Sequence, residues 1–180
     1  CGCSSVTNIT INNGVTTISP YAFSGCKPKT LTIPESVSLI GYDAFDCSTL
    51  ESVYVNRLIP ASIEDDDDDW DAFGWNNSKL VIYVPTESVD LYKSKWPEYK
   101  NQIVSNGNEP TSKTTTFKYT TTDNAKISVS GVPVKSHTYS NGEGELVLYG
   151  EMDYIPSSLF ANKPTLTSIT IPDHITKIGA

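Results

Sequence analysis

The chain has 180 residues, 38% of them apolar, and its 21 acidic side chains outnumber 13 basic ones to give a net charge of −8. With a pI near 4.6, this balance excludes docking on nucleic acid or on anionic lipid, since both need a basic surface. No run of about 18 apolar residues and no apolar targeting segment occurs, so no segment of this chain reads as a membrane span.

In chain order, the first elements are three copies of one pattern. Ile9, Thr10 and Ile11 recur as Leu31, Thr32 and Ile33 and again as Val53, Tyr54 and Val55, each 22 residues after the last. Ile18 maps to Ile40, and Ala22 and Phe23 map to Ala44 and Phe45, at the same step. A fixed period of about 20 to 30 residues marks a solenoid, whose units bury their apolar faces only against neighbouring units. The pattern predicts strands at 9–11, 31–33, 53–55 and 80–84, pairing in parallel with one per coil.

Before the fourth strand the step widens to 29, and Glu64 followed by five aspartates at 65–69 occupies the insertion. Carboxylates in series repel and stay solvated, which predicts a projecting loop. Calcium could use such oxygens, but the run has no spacers and no turn glycine, so no metal site is assigned to it. Trp70, Phe73 and Trp75 read as anchors for the loop's return into the core.

After Pro85, the residues Val89, Tyr92 and Trp96 form one helical stripe. Thr86 is placed to cap the helix, and Pro97 to end it, so the segment predicts a helix covering the end of the array. Residues 105–115 contain no apolar side chain and read as a linker. Residues 117–122 and 127–129 then read as a hairpin across Asp123 and Asn124. Gly142 and Gly144 read as turn glycines before Leu146. Residues 146–149 are the expected first strand of a second array, because Leu148 and Ile155 return 23 residues later as Ile171 and Ile178.

The unit can be written L-x-x-I-T-I-P-x-x-V-x-x-I-G-x-x-A-F-x-x-C-x-x-L. In these residues the chain resembles the BspA-like (Treponema pallidum-type) leucine-rich repeats found in surface proteins of Bacteroides-like bacteria and some mucosal protozoa. The match is good over 1–58 and 146–180 and loose over 70–100. The fold class expected is therefore a β-rich solenoid of the α/β leucine-rich repeat type. Its parallel strands come one per 22–23-residue repeat, with a capping helix and a β-hairpin. The expected organisation is an array at 1–104, a linker at 105–115, a hairpin cap at 116–145 and the start of a second array at 146–180. Both ends fall inside a repeat, so the chain reads as a piece of a longer protein.

Chemistry is sparse. Cys3, Cys26 and Cys47 hold one repeat position, at steps of 23 and 21, which predicts a buried column of small apolar thiols. A strained disulfide between coils is also conceivable at the roughly 4.8 Å strand spacing. Zinc would need four converging ligands. His137 and His174 lie far apart, and no catalytic or phosphate-binding motif occurs. The chain reads as non-enzymatic and without a cofactor.

The functional surface follows from strand alternation. If Leu31 and Ile33 face inward, Thr32 and its equivalents Thr10, Tyr54 and Tyr83 face the open side, together with Ser52. Tyr54 and Tyr83 would stand side by side among hydroxyls. Tyrosine offers contact area and a polar tip, which suits protein or glycan. The resemblance implies an extracellular bacterial binding or adhesion module that engages protein or glycan on a host or microbial surface, and the chain is expected to act as a monomer. A structural spacer and an accessory region of an enzyme lying outside these residues are the alternatives.

Overall fold

The computed structural model describes residues 3–64, 71–74, 78–108 and 111–179. The aspartates at 65–69, Trp70 and Trp75 lie outside the described residues. The described chain forms two compact units that divide after Asn108.

In the first unit, β1 (Thr17–Ile18), β2 (Thr30–Ile33), β3 (Leu39–Ile40), β4 (Ser52–Val55), β5 (Ser62–Ile63), β6 (Val81–Val84) and β7 (Ile103–Ser105) build two parallel ladders. One is a four-stranded sheet ordered β2-β4-β6-β7 and the other a short ladder ordered β1-β3-β5. The registers Leu31↔Val53 and Ile18↔Ile40 step by one repeat, so the period read in the sequence is the coil of a β-solenoid. Strand β2 alternates exposed and buried residues, with Leu31 1% and Ile33 0% exposed. One face of the sheet thus closes the core and the other is left open.

Between strands the coil turns at a fixed place. Tyr21 and Asp43, 22 residues apart, both take positive φ, at 56° and 50°. Their N–H groups donate to the coil that follows, Tyr21 N to Tyr42 O at 3.1 Å and Asp43 N to Asp71 O at 2.6 Å. Directly after this turn, Phe23, Phe45 and Phe73 stack as a ladder, with centroids 5.4 and 5.7 Å apart and planes within 9° and 11°. Ala72 and Phe73 are therefore the third Ala-Phe pair, displaced along the sequence by the insertion, and Phe73 is a repeat position within the core.

The helical segment comprises a 3-10 turn at Thr86–Ser88, α1 (Val89–Lys95) and a second 3-10 turn at Pro97–Tyr99. It takes the place of a coil between β6 and β7 and buries Tyr92, Trp96 and Tyr99 against the core. Trp96 Nε1 donates to Ala61 O at 2.9 Å, and Tyr92 OH to Arg57 O at 2.8 Å. The Tyr99 hydroxyl donates to the Asp71 carboxylate and accepts from Ala72 N at 2.9 Å. Thr86 does not cap the helix, since its Oγ1 engages Ser105 Oγ at 2.7 Å and Asn108 O at 2.6 Å.

Other expectations are corrected here. Residues 9–11 form no strand: their coil bonds to the next at Lys27 N to Val6 O and at Ser38 N to Thr16 O, on either side of them. Ile9 and Ile11 turn toward the core but stay half-buried, which weakens the hold that flattens the other strands. Cys3 is exposed, while Cys26 and Cys47 are buried, so the thiol column is covered at two positions. The linker is shorter than residues 105–115, because Ser105 pairs with Val84 in β7 and Thr115 is buried.

The second unit contains β8 (Thr114–Thr121), β9 (Val134–Ser140), β10 (Glu143–Tyr149), β11 (Tyr154–Ile155), β12 (Leu166–Thr170) and β13 (Lys177–Ile178). Its larger sheet has the order β12-β8-β10-β9. The hairpin joins β9 to β10 across Asn141 and Gly142, both at positive φ as a two-residue turn requires. Residues 127–129 form no strand. Strand β8, whose alternate residues are buried, pairs antiparallel with both β10 and β12 and separates the two repeat strands. Repeat geometry survives in the short ladder, where Ile155 pairs in parallel with Ile178. Gly144 is a strand glycine, with the Tyr119 ring lying where its Cβ would stand.

Candidate functional site

The open face of β2-β4-β6-β7 is set by three registers. Thr32 pairs with Tyr54, Tyr54 with Tyr83, and Tyr83 with Val104, so these four residues form one row across the strands. Thr30, Ser52 and Val81 form the row beside it. The Tyr54 and Tyr83 rings lie face to face, 4.7 Å between centroids and 10° between planes. That distance is close to the spacing of adjacent strands, so the pairing itself brings the rings into contact.

Exposure varies along the row and is least at Tyr83. Thr32 is exposed, Tyr54 is 39% exposed, Tyr83 is half-buried and Val104 is 38% exposed. Each ring spends one face on the other. By the strand register, the second face of Tyr54 lies on the Thr32 side and that of Tyr83 on the Val104 side. Ser52 is half-buried, and Thr10 is exposed but lies in a segment without strand pairing. The structure therefore brings Thr32, Ser52, Tyr54 and Tyr83 together on one laddered surface and leaves Thr10 outside the ladder. Lys29 and Glu51, just before the outer row, face each other at 3.9 Å and are largely solvated. Such a pair adds little energy but leaves no strong net charge at that end.

Chemically, this face offers hydroxyls and aromatic carbon. Among the described residues, no three or more His, Cys, Asp or Glu side chains gather as a metal site requires. No described helix is long and apolar enough to cross a membrane.

A second polar cluster, which the spacing of residues did not signal, lies in the other unit. Tyr119 OH meets His137 Nε2 at 2.7 Å and accepts from Ile127 N at 3.3 Å. Thr121 Oγ1 meets Tyr139 OH at 2.8 Å and donates to Ala125 O at 2.9 Å. Burial, then the charge of Lys126, holds the His137 imidazole below its ordinary range. The cluster pins the segment after β8 to the sheet, since its partners are backbone atoms of that segment. Its hydrogen-bonded partners lie 4 to 18 positions apart in sequence, and no short motif reveals them together.

A parallel solenoid of about 22 residues per coil, with one strand ladder open to solvent, defines a leucine-rich repeat protein. The chain belongs to the BspA-type leucine-rich repeat family, whose repeat region matches in six copies over residues 1–65 and 101–180. No curated protein matches it. Repeat solenoids of this kind typically bind other molecules and are not enzymes, and the family is associated with surface proteins.

Proposed function

We propose that the first unit is a non-catalytic adhesion module of a cell-surface protein. It takes a protein or glycan partner as a monomer on the open face of β2-β4-β6-β7. The observation that carries this reading is the stacked Tyr54–Tyr83 pair, aromatic carbon that stands on the solvent side of the sheet and outside the hydrophobic core. Thr32 and Ser52 supply hydroxyls around it, and Thr10 extends the polar margin. Aromatic residues on a rigid backbone lose little entropy on binding and commonly dominate contact energy.

The test is an array of matrix proteins and glycans probed with the chain and with the Tyr54→Ser, Tyr83→Ser double variant. The double variant should lose roughly 1 to 2 kcal/mol of affinity per tyrosine, with a thermal midpoint close to that of the parent. Unchanged affinity for a partner that the parent binds would move the site off this face. A folded chain that binds nothing on the array would favour a spacer. The two units are further expected to fold separately, with limited proteolysis cutting first between residues 106 and 113 or in the acidic insertion.

A further inference from the structure

Resting on the open-face reading, we propose that this surface takes a neutral, all-equatorial pyranose of a β-linked polysaccharide, stacked on the outer face of Tyr54 above Thr32. The argument starts from which aromatic surface is free. Because Tyr54 and Tyr83 lie parallel at 4.7 Å, their inner faces are covered, and a flat ligand cannot lie across both rings. What remains open is the outer face of Tyr54, on the side of Thr32, its partner one strand away in the same row, and the space over Thr32 is the slot that a ligand ring would enter. Tyr54 is the more exposed of the two tyrosines, as an open outer face requires.

The slot selects its occupant by shape and polarity. A ring that enters it extends the aromatic ladder by one strand spacing, so one face must be apolar enough to stack. An all-equatorial pyranose presents axial C–H bonds on each face and hydroxyls around its rim. Thr30, Thr32 and Ser52 border the slot with hydroxyls that can donate and accept. A protein aromatic or aliphatic side chain would stack equally well but would leave those hydroxyls facing carbon. The flank of Tyr83, bordered by Val104 and Val81, lacks that hydroxyl margin. Charge narrows the class further. The chain is acidic, at −8, and the Lys29 charge beside the face is matched by Glu51, so uronates and sulfated sugars are disfavoured.

The experiment uses the whole chain with hexasaccharides of β-1,4-linked glucose and of β-1,4-linked N-acetylglucosamine, and with a β-1,4-linked glucuronate hexamer, the same all-equatorial ring carrying charge, as the control. Saturation-transfer NMR should show transfer to the axial ring protons of a neutral hexamer and none to the glucuronate. Tyr54→Ser should weaken binding by about three- to tenfold, the worth of one aromatic face. Tyr54→Phe should retain it, Thr32→Val should weaken it, and Tyr83→Ser should weaken it less than Tyr54→Ser. Transfer to neither neutral hexamer would overturn the sugar assignment. If a protein partner were meanwhile lost on Tyr54→Ser, the open-face reading would stand without it. Hexamer binding undiminished in Tyr54→Ser would overturn both.

Discussion

The backbone of Pro20 fills the space that a side chain on Gly41 would need. A Cβ built on Gly41 falls against Pro20 N and within 2.7 Å of Pro20 Cα, at the point where Gly41 N donates to Ile18 O at 2.7 Å. Successive coils approach closely here. Gly179 repeats the arrangement, with its Cβ position 2.6 Å from Ser157 N and its own N–H on Ile155 O at 2.9 Å. Gly41→Ala should therefore force two coils apart and cost about 1 to 3 kcal/mol. Urea unfolding of the first unit should report it as a lower midpoint. An unchanged midpoint would mean that the coils separate freely.

Phe45 is sandwiched between Phe23 and Phe73 and is 0% exposed. Truncation opens a cavity that the neighbouring rings cannot fill, because each is fixed by its own coil. Phe45→Ala should destabilise the first unit by about 3 to 5 kcal/mol, whereas Phe45→Leu should cost much less. Equal losses for the two variants would show that the ladder carries no specific packing.

Thiol labelling should divide the cysteines by environment. Cys3 is exposed and should react quickly in the native chain. Burial, then the nearby Cys26 and the Asp46 carboxylate, pushes the Cys47 thiol up to about 11. The Cys26 thiol is also raised, by burial and by Cys3 beside it. At pH 8 both should label slowly, since the thiolate is the reactive form, and unfolding in guanidinium should remove the difference. Peptide mass mapping of the labelled chain reads each site separately. Rapid native labelling of Cys47 would contradict its place in the column.

The burial of His137 close to the Lys126 charge should make the second unit sensitive to mild acid. The folded unit holds His137 below its ordinary 6.5, through burial and Lys126, so the unfolded chain takes up the proton first as pH falls. Stability should thus decline as pH drops through the ordinary value and level off below the depressed folded one. The thermal midpoint followed between about pH 7.5 and 5 should fall, and His137→Gln should flatten the curve. Glu151 is held below the usual carboxylate range by its hydrogen bond from Lys113, so its contribution is lost only in a more acidic window. A wild-type curve already flat across this range would remove His137 from the balance.

The sequence by itself determined the coil, because a repeat must present the same apolar residues at the same step or leave its neighbour's face uncovered. Leu31, Val53, Ile18 and Ile40 paired as their spacing predicts, and the same register put Tyr54 beside Tyr83. The Ala-Phe dipeptide recurs at Ala72 and Phe73, yet the insertion before it broke the count, so Phe73 read as a loop anchor and only the stacked ladder placed it in the repeat. Spacing could not decide where a strand finds its partner. The repeat strands of the second unit are separated by β8, because hydrogen bonding between strands depends on which edge is free and not on local pattern. Nor could it show that residues 9–11 would stay unladdered, that Cys3 would be exposed, or that a distant tyrosine would occupy the space left by Gly144. Those outcomes belong to the tertiary structure, since burial and edge pairing are properties of neighbours that lie far apart along the chain.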